Sequence, residues 1–505
     1  KKIIVVSVLF LLAFVRQANF LYVSSTGSDA NNGSQAAPFR TFAKAFSVLQ
    51  PGDTLIVSGS WAGQTWNAQG TPEKPITIRG NGATFTGPLT LSGSNWLIVE
   101  GFKFEKATNQ VTLLDSHFIT LRGNAFDYVT RGILIQEYSS HLLIEGNEFY
   151  QTCAAGKTWT QLKGSTCEGG AVYGSSYGGG SYYIRDNYVH DSFNGFLFSD
   201  DTAGQWMNSN VFIYNNLFER IVDDPAEPEG DSFNFHLYNN VMIDTHRLAS
   251  VTTPGIGPVL IYNNVQITKG NPTNEASRLN SGFKVDLSGG YTNGVYIFNN
   301  TIVGNEAANF FGYDMLANKV SKPLTVRNNV YLLNKNVFSS KPTGVGTYDY
   351  DISNMPLVVT EANGLQANPQ LDANGMLLLT SPGIGRSEQI NLPAWFVSGV
   401  VIPAGSNAGA FQSNLPAPLW VPPPNDPATV PANNPNFPEA GVPVTVVPVT
   451  PLPSTATRTP TTIPSITPTR TPNPVTLTPV PVTRTPTALP TVCVLAYKVC
   501  LVPMP

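Results

Sequence analysis

Short apolar runs that end in paired asparagines recur through the middle of this chain. Five such runs carry the pairs Asn215-Asn216, Asn239-Asn240, Asn263-Asn264, Asn299-Asn300 and Asn328-Asn329. The second asparagines at 216, 240 and 264 are 24 residues apart, and the single asparagines at 124 and 147 are 23 apart. A fixed period of this size indicates a solenoid. The β-branched and aromatic composition of the runs favours strands over helices.

The asparagines themselves suggest how such strands are joined. Asparagine tolerates the left-handed backbone conformation, so one at a fixed turn can bend the chain between strands. Stacked on identical turns, asparagine side chains can also hydrogen-bond in a ladder. We therefore predict an all-β fold, a right-handed parallel β-helix with about one coil per period. The longer gaps, 147 to 187 and 264 to 300, are expected to hold loops inserted on one face, which in repeat proteins is often the binding face.

The flanking sequences predict a domain order. In residues 1–19, two lysines precede an apolar run, as in a secretory signal peptide, and the run is too short to span a bilayer. Residues 20–414 then form the β-helix. Phe39, Phe42 and Phe46 follow helical spacing after Pro38 and predict a helix that caps the N-terminal end of the solenoid, with Pro38 in its first turn.

The C-terminal sequence differs in composition from the β-helix. Residues 415–490 are rich in proline and threonine and predict a disordered, extended linker. The remaining residues, 491–505, form a short segment that contains Cys493 and Cys500. They are too few for a domain.

Charge and cysteine content narrow the classes of function. Only 12% of residues are charged and the net charge is −4, which argues against a nucleic-acid partner. Cys153 and Cys167 form a close pair with no histidine nearby, which favours a disulfide over zinc in an oxidising compartment. Whether Cys493 and Cys500 pair is left open. We expect a monomeric, secreted or cell-surface protein with no transmembrane helix beyond the signal segment.

Counting back from the second asparagine of each pair aligns polar residues of successive coils. Asp200, Asp224, Lys284 and Tyr313 each lie 16 residues before that asparagine, and Arg247 lies 17 before it. These five side chains are therefore predicted to stack on one face. Three further acidic residues adjoin them in the chain, namely Asp201, Asp223 and Asp314.

The densest acidic segment is residues 223–231, with Asp223, Asp224, Glu227 and Glu229. Hard oxygen ligands in a turn-rich segment suit Ca²⁺, which accepts six to eight oxygens with loose geometry. We expect a calcium ion here. The alternative is an ordinary solvated loop.

The two ends of residues 20–414 resemble secreted β-helix proteins of the pectate-lyase-like superfamily, at residues 21–61 and in the closing motifs at 368–372, 381–385 and 405–411. The segment Gly282-Phe283-Lys284 also resembles the one that holds the catalytic lysine of family 9 pectate lyases, which are calcium-dependent. This resemblance implies Lys284 as a base. It further implies calcium ligands at Asp200, Asp201, Asp223 and Asp224, although the intervening loops and the added glutamates depart from those lyases.

The leading hypothesis is a polysaccharide lyase that cleaves a uronate-containing polysaccharide by β-elimination. The proton beside a uronate carboxylate becomes acidic only when the carboxylate charge is neutralised, here by Ca²⁺ and Arg247. The base must be neutral, so the pKa of Lys284 beside a metal ion and an arginine is expected to be lowered. Substrate contacts are assigned to Tyr313, Trp206, Glu227 and Glu229.

Two other functions remain open at this point. A glycoside hydrolase would need two carboxyl groups, and Asp201, Asp224, Glu227 and Glu229 offer more candidates than the sequence can choose between. A non-catalytic surface protein could bind glycans on stacking aromatic rings. The candidate rings are Tyr173, Tyr177, Tyr182, Tyr183 and Trp206. In either case Lys284 could be a surface lysine covering Phe283, and Arg247 an ion-pair partner of the acidic turn.

Overall fold

The protein winds as a parallel β-helix in which successive coils add strands to parallel sheets. The computed structural model describes residues 18–175, 179–198, 208–230, 232–252, 257–275, 278–288, 294–388, 406–410, 493–494 and 499–500. The predicted parallel β-helix is confirmed. Most of the predicted signal peptide and all of the predicted linker lie outside these residues. Across the described part of the chain, no helix is long and apolar enough to cross a membrane.

The first sheet has 13 parallel strands, which include the apolar runs before the asparagine pairs. Its strands are Phe20–Ser24, Thr54–Ser58, Ile76–Gly80, Asn95–Glu100, His117–Arg122, Ser140–Glu145, Gly180–Arg185, Asn208–Tyr214, Ser232–Tyr238, Val259–Tyr262, Val295–Phe298, Lys319–Arg327 and Thr343–Asp349.

The second sheet also has 13 parallel strands and follows the asparagine turns. Its strands are Ser60–Trp61, Thr84–Phe85, Lys103–Glu105, Ala125–Asp127, Glu148–Tyr150, Tyr188–Ser192, Leu217–Ile221, Val241–Ile243, Val265–Ile267, Thr301–Val303, Val330–Leu332, Ile352–Ser353 and Leu365–Gln366.

The third side of the coil carries a seven-stranded sheet and then a three-stranded sheet. We call them together the third face. The seven strands are Gln64–Trp66, Leu89–Ser92, Asn109–Leu114, Arg131–Gln136, Gly170–Gly174, Asn194–Leu197 and Ala226–Glu227; the three are Ala249–Thr252, Asn280–Asp286 and Phe310–Met315. Separately, Cys493–Val494 pairs antiparallel with Val499–Cys500.

A ladder of buried asparagines runs along the turn between the first and second sheets. Its members are Asn124, Asn147, Asn187, Asn216, Asn240, Asn264, Asn300 and Asn329, with Asp351 in the last position. The side-chain oxygen of Asn240, for example, accepts bonds from both the backbone N–H and the side-chain amide of Asn216, each at 3.0 Å. The amide of Asn240 donates in turn to the carbonyl of Ile213 at 3.0 Å. This confirms the ladder and fixes the register of neighbouring coils.

The two asparagines of each pair have different tasks. The first one adopts the left-handed conformation, with φ between 53° and 59° at Asn215, Asn239, Asn263, Asn299 and Asn328. Glycine or aspartate takes the same position in the earlier coils, at Gly123, Gly146 and Asp186. The first residue therefore bends the chain, while the second makes the ladder.

The N-terminal end is covered by a helix shorter than the sequence suggests. The helix is Phe42–Phe46, and the Thr41 side chain caps it by accepting from the Lys44 backbone N–H. The prediction of Pro38 in its first turn is wrong, because Phe39 instead bridges in parallel to Val23. The ring of Phe42 lies 4.5 Å from that of Trp61 and 4.9 Å from that of Trp66, which closes the end of the core as a solenoid requires. A second short helix is Trp159–Leu162.

The interior of the helix is filled by stacked apolar side chains. Phe85, Phe104, Phe126 and Phe149 stack on successive coils of the second sheet, with ring centroids 5.4, 4.8 and 4.6 Å apart. Offset stacks of this kind add to the burial of apolar area. The core thus repeats with the coil, as the ladder does.

Replacing Asn240 with alanine is expected to lower the free energy of unfolding by about 1–3 kcal/mol, since the buried Asn216 amide groups lose their acceptor. Asn239→Gly is the matched control: it keeps the left-handed turn and should cost no more than about 1 kcal/mol. Chemical denaturation of both variants measures the difference. Equal losses in the two variants would contradict the division of tasks within each pair.

Candidate functional site

Two of the predicted charged residues, Arg247 and Lys284, meet the acidic residues Asp223, Asp224, Glu227 and Glu229 on the third face. We call the segment from Asp223 to Glu229 the acidic turn. One column of in-register residues there runs Leu134, Tyr173, Leu197 and Glu227 in the seven-stranded sheet. A corresponding column in the three-stranded sheet runs Ser250, Lys284 and Asp314. The Glu229 carboxylate accepts hydrogen bonds from the hydroxyls of Ser250 and Thr252, which links the acidic turn to the second column.

The acidic turn is built into the fold. Its backbone pairs with the preceding coil, where the Asp224 N–H donates to the side chain of Asn194 at 2.9 Å and the Gly195 N–H donates to the Asp224 carbonyl at 3.0 Å. Asp223 is only 6% exposed and Asp224 is fully buried. The alternative of a solvated loop is therefore wrong.

Lys284 is joined to this turn. Its Nζ lies 2.6 Å from Oδ2 of Asp224, and its side chain is 23% exposed, against 1% for Asp224. Burial alone would lower the pKa of Lys284, but Asp224, Asp223, Glu227 and Glu229 outweigh burial and raise it above its ordinary value. The expectation of a lowered pKa is thus wrong for this state, because the carboxylates surround the ammonium group more closely than any cation does.

Arg247 is held rigidly beside Lys284. Its guanidinium donates to Ser281 Oγ at 2.6 Å and to Asp314 Oδ2 at 2.9 Å, and the residue is 4% exposed. Asp314 is also the in-register neighbour of Lys284. The ion-pair partner of Arg247 is therefore Asp314 and not the acidic turn.

Crowding and burial raise the pKa values of three carboxyl groups of the acidic turn. Burial, followed by repulsion from Asp224, raises the pKa of Asp223 to about 7. Burial and the negative charges of Asp224 and Glu229 raise the pKa of Glu227 well above its usual range. Burial also raises the pKa of Glu229, although Lys284 opposes this. The cluster therefore combines carboxyl groups that hold a proton to higher pH than usual with a lysine whose charged form is favoured.

Two of the four predicted calcium ligands, Asp223 and Asp224, lie within the described residues. Asp224 Oδ1 is buried and has no hydrogen-bond partner among the described residues, which leaves one hard oxygen donor unsatisfied. Aspartate and glutamate oxygens are the donors that Ca²⁺ prefers. Across the described residues, however, no three acidic, histidine or cysteine side chains converge tightly enough to hold a metal ion. Asp200 and Asp201, the other two predicted ligands, lie outside the described part, so calcium stays a prediction.

The column of residues predicted by counting back from the asparagines differs from the observed strand register by up to three residues. Ser250, Lys284 and Asp314 pair with one another, yet they precede their asparagines by 14, 16 and 15 residues. The counts differ because the segments between the third face and the first sheet differ in length. Arg247, placed in the column by counting, lies three residues before Ser250.

Three of the four aromatic candidates that lie within the described residues are buried. Tyr313 pairs with Phe283, is fully buried, and shares a 2.8 Å hydroxyl–hydroxyl hydrogen bond with Tyr331, so its assignment to substrate binding is wrong. Tyr182 and Tyr183 are also buried. Trp206 and Tyr177 lie outside the described residues, and Tyr173 is half-buried on the third face.

Two inserted loops meet beside the acidic turn, a contact that the sequence period did not predict. The first, residues 151–169, contains the predicted Cys153–Cys167 disulfide, which is confirmed, and packs on Phe193 and Val222. The second contains residues 268–275, and its Thr273 carbonyl accepts a hydrogen bond from the backbone N–H of Trp159 at 3.0 Å. Arg278 also lies over the Trp159 ring, 3.2 Å from its centroid. Both loops join the second sheet to the third face, so they border the charged cluster on one side.

Comparison with known proteins yields distant similarities. No protein-family model matches this chain. An uncharacterised protein of Bacillus subtilis (strain 168), YwoF, is 30% identical over 139 residues. That match covers 26% of this chain and only 28% of the relative's length.

The similar solved structures include polysaccharide lyases. Pectate lyase Pel9A is 14% identical with a TM-score of 0.38, covering 79% of this chain and 98% of the lyase. An alginate lyase from Paenibacillus sp. str. FPU-7 is 14% identical with a TM-score of 0.39, covering 69% and 99%. A lacto-N-biosidase from Eubacterium ramulus is 15% identical with a TM-score of 0.38, covering 67% and 68%. The long parallel sheets within residues 20–366 fit a parallel β-helix, which is a statement about fold alone.

Proposed function

We propose that this protein is a carbohydrate-active enzyme that cleaves a uronate-containing polysaccharide by β-elimination. The observation that supports the proposal is the meeting of Lys284, Arg247 and the acidic turn on one outer face of the helix. The Lys284 side chain is 23% exposed, against 5% for Arg247 and 1% for Asp224, so a polymer on this face could contact the lysine.

The chain's own residues divide the reaction as follows. Arg247, fixed by Ser281 and Asp314, supplies positive charge that stabilises the enolate formed when the proton beside the uronate carboxylate leaves. Lys284 Nζ accepts that proton once it has lost its own. A protonated carboxyl group, such as that of Glu227, would donate a proton to the departing glycosidic oxygen.

The charge state of Lys284 decides when this chemistry can occur. In the described state the carboxylates keep Lys284 protonated, and a protonated lysine cannot act as a base. A calcium ion, when bound, would neutralise carboxylate charge. Asp223 and Asp224 are the predicted ligands that lie within the described residues, and less negative charge around Lys284 would lower its pKa.

Lys284→Arg is expected to abolish elimination while preserving the fold. Arginine keeps the positive charge beside the buried Asp224 but stays protonated, so activity should fall by about 10²-fold or more. The assay is the ultraviolet absorbance of the unsaturated product on a panel of acidic and neutral polysaccharides, with and without chelator.

Two comparisons make that assay decisive. Arg79→Gln, which changes an arginine of the first sheet that pairs with Glu100, should leave activity unchanged. An unchanged melting temperature of Lys284→Arg would show that lost activity is not lost folding. Full activity in Lys284→Arg would remove lysine from the mechanism.

The stability of the protein should depend on pH through Asp223. Its folded pKa of about 7 lies above the unfolded value, so the folded state binds a proton that the unfolded chain releases. This contribution is present below about pH 4 and is lost as the pH rises through the folded pKa. Relative to wild type, Asp223→Asn should therefore be more stable near pH 8 than near pH 4, as measured by urea denaturation without divalent cations.

Thermal unfolding of the wild type tests calcium binding without an activity assay. Protons and Ca²⁺ compete for the same carboxylates, so added calcium should raise the melting temperature of the wild type more near pH 8 than near pH 5. No effect of calcium at either pH would count against the cation site.

A glycoside hydrolase is the second candidate, and the raised pKa values of Asp223, Glu227 and Glu229 favour it, because such an enzyme needs a protonated general acid. It would release reducing ends without the ultraviolet chromophore. In that case Lys284→Arg would stay active, and Glu227→Gln would not.

A further inference from the structure

A further cation on the third face, Arg131, has an aromatic partner and no carboxylate partner among the described residues. The guanidinium of Arg131 lies over the ring of Tyr173, 4.4 Å from its centroid. Its Nε is buried and makes no hydrogen bond to any described residue. Arg79, Arg122 and Arg185, which lie on the first sheet, are by contrast each paired with a glutamate. Arg131 therefore retains unused hydrogen-bonding capacity.

The position of this pair connects it to the charged cluster. Tyr173 stands in the same outward column as Glu227, two coil steps away, with Leu197 between them. At the spacing of paired strands, two steps correspond to about 10 Å. Leu134 and Leu197, on either side of Tyr173, are each 7% exposed, so the floor of this stretch is apolar and closely packed.

One edge of the stretch is formed by the disulfide loop. The Thr130 hydroxyl, next to Arg131, donates to the Thr166 carbonyl at 2.7 Å, and Gly170 pairs in register with Arg131 itself. A Cβ on the adjacent Gly169 would lie 1.9 Å from the Thr130 carbonyl, so the loop must return to the sheet at this point without a side chain. The same loop borders the charged cluster, which makes the two places parts of one bounded surface.

The chemistry of the pair selects one class of ligand. A guanidinium recognises a carboxylate through two parallel hydrogen bonds, and stacking on an aromatic ring holds the guanidinium plane in place. The exposed part of a tyrosine ring can also pack on the apolar face of a sugar. A neutral glycan would leave the guanidinium unused.

We infer that Arg131 and Tyr173 form a distal subsite for a uronate residue of an anionic polysaccharide, two coil steps from Lys284's acidic partners. The inference rests on the proposed function for the identity of the polymer. It adds a determinant of affinity and of substrate length, separate from the residues that perform the chemistry.

The test measures binding and turnover separately. In the Lys284→Arg background, which blocks turnover, Arg131→Gln should weaken binding of polygalacturonate or alginate by about tenfold or more, measured by calorimetry. Arg131→Lys should restore part of the affinity, since it restores the charge but not the two parallel hydrogen bonds. Binding of a neutral glucan, and Arg79→Gln as the matched arginine control, should show no such effect.

Kinetics supply the second measurement. With active enzyme, Arg131→Gln should raise KM on the polymer and leave kcat unchanged, because the subsite does not contact the reacting atoms. On oligomers too short to reach from Lys284 to Arg131, KM should also be unchanged. A merely structural role for the pair would instead lower the melting temperature and affect short and long substrates alike.

The possible outcomes distinguish failure of the Arg131–Tyr173 subsite from failure of the proposed lyase function. Wild-type affinity for the polymer in a folded Arg131→Gln variant, together with loss of elimination in Lys284→Arg, would overturn the subsite and leave the lyase standing. Absence of binding to every uronate polymer by the wild type would overturn both. Weakened polymer binding without any ultraviolet product would support the subsite and reject the lyase.

Discussion

From Asn124 to Asn329, each coil of this helix is tied to the next by a buried asparagine side chain. The ladder asparagine accepts from the backbone and side chain of its predecessor and donates to a carbonyl one coil back, so one side chain fixes the spacing and the register of two turns of chain. Because in-register pairing recurs on all three sides of the coil, groups far apart in number, such as Asp224 and Lys284, come within hydrogen-bond distance. The charged cluster depends on that register more than on any interaction within it.

The cluster illustrates how a charge-poor protein holds buried charges. Five carboxyl groups surround one lysine and one arginine, and the structure accommodates them by raising carboxyl pKa values and by giving Lys284 and Arg247 separate partners, Asp224 and Asp314. Removing one member of such a pair leaves an uncompensated buried charge and is costly. An arrangement of this cost on an outward face suggests a use other than stability.

The periodic part of the molecule could be predicted and the inserted parts could not. The asparagine pairs predicted the strands, the turns and the ladder, and the cysteine spacing predicted the disulfide. The column count was in error by up to three residues, yet Lys284 still reaches Asp224 and Arg247 reaches Asp314, because the lysine and arginine side chains are long enough to absorb the shift. The burial of Tyr313 and the contact of Trp159 with Arg278 were missed. The first depends on which side of a strand faces the core, and the second joins two insertions that share no period.

The meeting of those two loops has a consequence for cooperativity. Coils of a solenoid contact only their neighbours, so their folding resembles a one-dimensional chain of units that can fray independently. The loops start from second-sheet strands four places apart, Glu148–Tyr150 and Val265–Ile267. A brace across that distance couples the intervening coils into one block, so the stretch that carries the cluster should open and close as a unit even while the ends of the helix unwind.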